Sequence, residues 1–270
     1  MKLTPILLIL ASSSSGIISA ATITYGFQAS DHTPSSSGPG FTVGNLTEVF
    51  SSATPGAVFG GFTGPNTPVA TTTVRAYRPA DVTNLTFNPT NAQFNSHASY
   101  VEFTITPGAG QQLDFSTAQF SLNFGTFVGV GSTAQLTNRV AVGYRVNDTG
   151  DFTMLGASLT AMAPVYSASS SNWTGQASFD TTAESFVIVE NSMLQSLSEL
   201  PALNANDTIT FRVILGDSGT TSTALTATNN VRGGYIDAIS VSGFDVIPEP
   251  SLFGLLALSS IALAGRRRHK

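Results

Sequence analysis

Cysteine is absent from all 270 residues. That excludes disulfides, thiolate nucleophiles and Cys-ligated zinc, so an exported form of this chain must hold itself together by core burial, helped at most by a metal. Lysine is absent from the long middle of the chain. Between residues 22 and 247 there are six arginines against 15 acidic residues, a balance of −9. The whole-chain charge of −5 conceals this, because five of the 11 basic residues lie at the two ends. Phosphate binding needs clustered basic groups, so no nucleic-acid partner is expected. An acidic surface favours divalent cations over anionic partners. Histidine is scarce: of three, only His32 and His97 lie in the middle. Neither sits in a nucleophile elbow, and no Gly-x-Ser-x-Gly occurs. Two histidines without acids at matched spacing do not suggest zinc.

The two ends carry the apolar runs. Met1-Lys2, a mostly apolar stretch over 3–10, and the small residues Ser19-Ala20-Ala21 read as a secretory signal peptide over 1–21. The other end has Pro248, Glu249 and Pro250, then an apolar run over 252–264, then Arg266, Arg267, Arg268, His269 and Lys270. Thirteen residues make a helix of about 20 Å. A bilayer core of about 30 Å usually needs about 20 apolar residues. The span is therefore short, and Ser251, Gly265 and the arginine stems must snorkel to complete it. The basic cluster predicts a cytoplasmic C-terminus. A plain tail anchor or a buried core helix is the alternative, but a core helix rarely ends in a terminal run of charges.

That order of features resembles the PEP-CTERM sorting tail of Gram-negative bacteria. The resemblance covers 248–270. It implies a sorting motif at Pro248, Glu249 and Pro250. It implies a membrane anchor built on Leu252, Phe253, Leu255, Leu256, Leu258, Ile261 and Leu263, and a basic stop at Arg266, Arg267 and Arg268. The partner it implies is an exosortase-type membrane protease that cuts near the motif. The location it implies is passage through the inner membrane to the cell surface or extracellular matrix.

The middle, 22–247, has the size of one large all-β domain or two small ones. It is rich in Thr, Ser, Gly, Asn, Phe and Val and poor in helix formers. The clearest strand is 99–106, with Val101, Phe103 and Ile105 on one face and Tyr100, Glu102 and Thr104 on the other. Further strands are expected at 23–28, 46–50, around 58–59, 71–77, 82–87, 140–146, 173–179, 185–190, 208–215 and 234–244. One stretch is expected to begin at 113–115 and continue through 118–124. Residues 147–151 are a turn, and the chain returns from Phe152. One helix is expected over 192–200, where Met193, Leu194, Leu197 and Leu200 share a side and Pro201 stops it. Many short alternating runs separated by turns predict an all-β, antiparallel β-sandwich.

The order Val101-Glu102-Phe103-Thr104, Leu113-Asp114-Phe115-Ser116, Val142-Gly143-Tyr144-Arg145, Thr210-Phe211-Arg212 and Tyr235-Ile236-Asp237-Ala238-Ile239 resembles the jelly-roll ectodomains found ahead of such tails. More loosely, it resembles carbohydrate-binding jelly rolls. By that resemblance Asp237 ligates a structural calcium joining the first and last strands, with Gln28 and Asp31 as positional candidates for further ligands. The alternative is an exposed Asp237 paired with Arg232 or Arg212. Asn147-Asp148-Thr149-Gly150-Asp151 has the flavour of a calcium loop but lacks the acidic spacing of an EF-hand, and a turn explains it. Trp173 is the only tryptophan. It is a candidate for stacking on a sugar ring, against the plainer role of a core or strand-edge residue. For glycoside hydrolysis two acids must face each other. Glu102, Glu184 and Glu190 are available, but no spacing selects a pair.

The expectation is a non-enzymatic, surface-sorted protein of the matrix or envelope, associating with exopolysaccharide. A polysaccharide-active hydrolase or lyase on a jelly-roll scaffold is one alternative. A purely structural matrix component is another.

Overall fold

The computed structural model describes residues 20–26, 33–49, 58–59, 74–77, 83–84, 89–129, 138–155, 165–167, 172–174, 186–217 and 232–249. Seventeen strands and one short helix account for most of them. In chain order, the strands before the helix are β1 (Ala20–Tyr25), β2 (Ser35–Ser37), β3 (Phe41–Val43), β4 (Thr47–Val49), β5 (Val58–Phe59), β6 (Val74–Tyr77) and β7 (Thr83–Asn84). Helix α1 is Asn91–Ser96. After it come β8 (Tyr100–Pro107), β9 (Gln111–Asp114), β10 (Gln119–Gly129), β11 (Asn138–Val146) and β12 (Thr153–Met154). The last five are β13 (Val165–Ser167), β14 (Asn172–Thr174), β15 (Phe186–Ser196), β16 (Ile209–Asp217) and β17 (Arg232–Pro248).

The strands form two main sheets. The larger runs β15-β10-β17-β1-β2, with β6 and β9 also pairing with β17 and β5 with β6. The smaller runs β12-β11-β16-β8-β3, with β4 beside β8 and β7 beside β16. Strands β13 and β14 pair as a separate ribbon. All pairings are antiparallel except the short parallel one of β7 with β16. The expectation of an all-β chain built from antiparallel sheets is met.

The alternation read from the sequence is what joins the sheets. Val101, Phe103 and Ile105 of β8 are buried, as are Ile209, Phe211, Val213 and Leu215 of β16. They share one core with Ile23 and Tyr25 of β1, Phe120 and Leu122 of β10, and Ile239 and Val241 of β17. Aromatic rings bridge the sheets: Phe120 lies 5.7 Å from Phe211 and 6.4 Å from Phe103, and Tyr25 lies 4.9 Å from Phe103. Tyr25 is buried, and its hydroxyl donates to the Gly44 carbonyl at 2.6 Å. Burial pushes its phenol well above the usual range.

Strand β17 is too long for one simple alternation. Ile236 is buried, and so are Ile239 and Val241 at the opposite parity, then Phe244 and Val246 at the first parity again. Two irregularities make the switches. Against β10, Phe124 pairs with Ile236 and Asn123 with Ala238, so Asp237 is the extra residue. Against β1, Ala21 pairs with Phe244 and Thr22 with Ser242, so Gly243 is extra. Gly243 has φ +76°, a conformation glycine adopts without steric cost.

Two expectations need correction. Residues 192–196 continue β15 instead of starting a helix. Their backbone pairs with β10 from Gln119↔Ser196 through to Gly129↔Phe186. Met193 turns inward and Leu194 is 64% exposed, as strand neighbours must be. Leu197 and Leu200 are buried past the strand end, in a turn. An isolated helix of two turns is marginal, whereas the edge of β10 offers a long ladder of hydrogen bonds. The stretch beginning at Leu113 also splits: β9 pairs with 245–248 of β17 and β10, through residues 119–128, with 232–242.

A short helix forms instead at Asn91–Ser96. Thr90 caps α1 by accepting from the Gln93 backbone at 3.2 Å, and the Gln93 side chain accepts from the Thr90 N–H at 2.8 Å. Thr-x-x-Gln is the sequence signature of that reciprocal cap.

Candidate functional site

The outer face of the smaller sheet is divided. One half is apolar and covered. Phe94 of α1 packs there with Ala141, Phe152 and Ile214, flanked by Tyr100 and Met154. Gly143 makes room for this, since a Cβ at that position would lie 2.8 Å from the Phe94 ring and 2.8 Å from the Thr153 carbonyl oxygen. The Asn95 side chain fastens the cover, accepting from the Phe152 N–H at 2.7 Å and donating to its carbonyl at 3.0 Å.

The other half is polar and open. The register sets two rungs across three strands. Thr104, Thr210 and Arg145 stand side by side, and Glu102, Arg212 and Gly143 form the next rung. Arg212 Nε donates to Glu102 Oε1 at 2.6 Å. The Arg212 guanidinium lies 4.0 Å from the Tyr100 ring centre and 4.1 Å from that of Phe152. Arg145 packs on the same Phe152 ring at 4.5 Å and pairs with Asp148 at 3.0 Å. Asp148 Oδ1 also accepts from the Thr210 hydroxyl at 3.0 Å. Asn45 and Thr47 form the remaining wall, with Thr47 opposite Glu102 in register.

Asn45, Thr47, Glu102, Thr104, Arg145 and Asp148, with Phe103 and Thr210, line an open cleft of about 290 Å³. Its charges are balanced: Arg145 pairs with Asp148 inside it, and Glu102 pairs with Arg212 beside it. The cleft offers hydroxyl, amide, carboxylate and guanidinium groups in one place, suited to a neutral ligand rich in hydrogen-bonding groups.

The turn expected at 147–151 is present. Asn147 and Asp148 have φ +56° and +50°, and Gly150 has φ +71°. Positive φ at two successive residues is what a primed hairpin turn requires. Asn147 ties this turn to a second one, donating from its amide to Asp207 Oδ1 at 2.8 Å. Asp207 also accepts from the Asn204 backbone at 2.9 Å. The Asn147 bond, then the Asn204 backbone bond, lower the Asp207 pKa below the usual carboxylate value.

The Asn204 turn meets the end of the closing strand. Pro248 pairs with Gln111, the last rung between β17 and β9. The Glu249 N–H donates to the Gly110 carbonyl at 2.9 Å, and Glu249 Oε1 accepts from the Ala205 N–H at 2.8 Å. Two residues of the expected sorting motif are thus fixed to the folded body. Pro250 and the anchor and basic residues at 251–270 lie outside the described residues. So does most of the expected signal peptide, 1–19; β1 begins at Ala20, with buried Ala21 paired to Phe244. Among the described residues, no helix is long and apolar enough to cross a membrane.

Asp237 occupies the bulge of β17 against β10, and its side chain lies outside the described residues, as do Gln28 and Asp31. Arg212, one of the two arginines named as partners for an exposed Asp237, pairs with Glu102 on the smaller sheet. Among the described residues no group of three or more His, Asp or Glu is placed to hold a metal. Trp173 lies in β14 opposite Tyr166, with its side chain outside the described residues. Glu102 and Glu190 fall on different sheets, and Glu184 and His32 lie outside the described residues. The His97 ring is buried, with Nδ1 3.0 Å from the Ser99 carbonyl oxygen, a backbone-bracing position.

Sequence reasoning missed the cleft because its members come from four strands, a turn and the link between β3 and β4. The alternation of 99–106 and 208–215 already put Glu102, Thr104, Thr210 and Arg212 on outward positions. Only the pairing of β8 with β16 brings them together. No family model and no curated protein matches this chain.

Proposed function

We propose that this chain is an exported, non-enzymatic protein of the bacterial surface or extracellular matrix, sorted by its tail and associated with exopolysaccharide. Its body is read as a jelly-roll β-sandwich, a reading supported by the neighbouring placement of the first and last strands, β1 and β17. The order of Pro248-Glu249-Pro250, the apolar run and the arginine cluster supports sorting by an exosortase-type membrane protease.

The observation that carries the polysaccharide reading is the open, charge-balanced cleft on the smaller sheet. Sugar chains are recognised by many hydroxyl-directed hydrogen bonds, and Asn45, Thr47 and Thr104 supply groups of that kind. Both cleft carboxylates, Glu102 and Asp148, are already engaged by arginines, the arrangement of a binding surface. A structural calcium at Asp237 belongs to the same reading. Melting with calcium and with a chelator tests it, and an unchanged melting point in both rejects it.

The decisive experiment is binding of the purified protein to an array of neutral and acidic polysaccharides. Wild type should bind a neutral chain, and Asn45→Ala with Thr47→Val should weaken that binding about tenfold, as loss of two or so hydrogen bonds does. Absence of binding across the array would leave a ligand-free matrix component as the better reading. Turnover of a bound chain would instead establish the hydrolase or lyase alternative.

A further inference from the structure

The sorting motif is not on a free linker. Strand β17 stays paired with β9 from Asp245↔Asp114 to Pro248↔Gln111. Two turns then close on the next residue. In the first, Gln111 N–H donates to the Gly108 carbonyl at 3.0 Å, and Gly110 has φ +69°. In the second, Asp207 N–H donates to the Asn204 carbonyl at 3.0 Å, and Asn206 has φ +79°. The first turn presents the Gly110 carbonyl to the Glu249 N–H, and the second presents the Ala205 N–H to the Glu249 carboxylate. Gln112 cross-links them through its bond to Asn204 Oδ1 at 2.9 Å. One turn follows a strand of the smaller sheet and the other precedes one, so the glutamate is held where the two sheets meet.

We infer that these two turns form a docking site for the chain's own Glu249, and that a protease reading Pro248-Glu249-Pro250 must first release it. A peptide bound in extended form gives its backbone groups and side chains to the enzyme. Here the Glu249 N–H and carboxylate and the Pro248 rung are already committed to the folded body. Folding of the body and cutting of the tail are therefore in competition, and the hold slows cutting. The hold stands on the geometry alone; its effect on cutting rests on the sorting reading above.

Ala205→Pro separates these. Positive φ at the third residue marks a type II turn, whose second position accommodates proline. The substitution removes the donor to Glu249 and leaves the motif itself intact. The melting point should be unchanged or slightly raised.

The test uses the full chain in detergent micelles, with two readouts. Amide exchange at Glu249 should be protected in wild type, and A205P should lower the protection about fivefold, the effect of one hydrogen bond of ordinary net strength. No protection in wild type would overturn the hold. In the second readout, an exosortase-type protease of a bacterium with such tails should cut A205P about fivefold faster than wild type. Equal rates would overturn the gating while leaving the hold. Failure to cut either chain would overturn the sorting reading, and the gating with it, while the exchange result still decides the hold.

Discussion

Arg212 and Glu102 face each other across β16 and β8, with Nε 2.6 Å from Oε1 and side chains only 11% and 20% exposed. The guanidinium also lies against Tyr100 and Phe152, so one residue joins the polar rung to the apolar patch under α1. Arg212→Ala should cost about 2–3 kcal/mol in urea unfolding, because it removes a charged hydrogen bond together with the stacking on two rings. Arg212→Lys should recover only part of this, because an ammonium lacks the planar stack. An alanine variant as stable as wild type would show that the pair is solvated and idle.

Gly143 tests the cover on that same face. A methyl group there meets the Phe94 ring and the Thr153 carbonyl, both at 2.8 Å. The ring can shift, but the carbonyl belongs to the paired strand β12. Gly143→Ala should therefore destabilise by about 1–3 kcal/mol, the usual range for overpacking. Amide exchange should rise first in α1, whose one buried residue is Phe94.

How much of this was legible depends on period and pairing. The strand around Val101, Phe103 and Ile105 is plain in the sequence because period two is unbroken there. So are β11 and β16. Around Asp237 the period breaks, and a bulge that exists only relative to β10 cannot be seen in one strand alone. The same limit explains Met193 and Leu194. Their spacing with Leu197 and Leu200 suits a helix, and only the edge of β10 turns 192–196 into strand. The cap of α1 is legible in the Thr-x-x-Gln spacing of Thr90 and Gln93. The cleft and the Glu249 hydrogen bonds join residues far apart in the chain, such as Glu102 with Arg212 and Ala205 with Glu249, and no local pattern announces them.

The core makes its own prediction. Phe211 is fully buried, with the Phe103 ring 5.3 Å away in its own sheet and the Phe120 ring 5.7 Å away in the other. Phe211→Ala should cost about 3–5 kcal/mol, the sum of lost burial and a cavity that the neighbouring rings cannot close. Phe211→Leu should cost less, since it keeps most of the volume. The comparison is made by denaturant midpoint, and an equal loss in both variants would mean that ring stacking, more than volume, holds the sheets together.

Asp207 gives the pH dependence. Its pKa is lowered by the Asn147 side chain first and the Asn204 backbone next, from an ordinary value of 3.8. A carboxyl with a depressed folded pKa binds protons more readily in the unfolded chain. Its stabilising contribution is therefore complete above the ordinary value and is lost as pH falls through the folded one. Wild type should lose melting temperature from about pH 5 downward, with a component that Asp207→Asn lacks. The variant should melt lower than wild type near neutrality, and the gap should close as the solution is acidified. Asp207 is half-buried and its partners are neutral amides, so salt should change the gap little. A gap that stays constant across the acid range would mean that the neutral amide substitutes poorly for reasons of shape, and that the charge on Asp207 does not hold the two turns together.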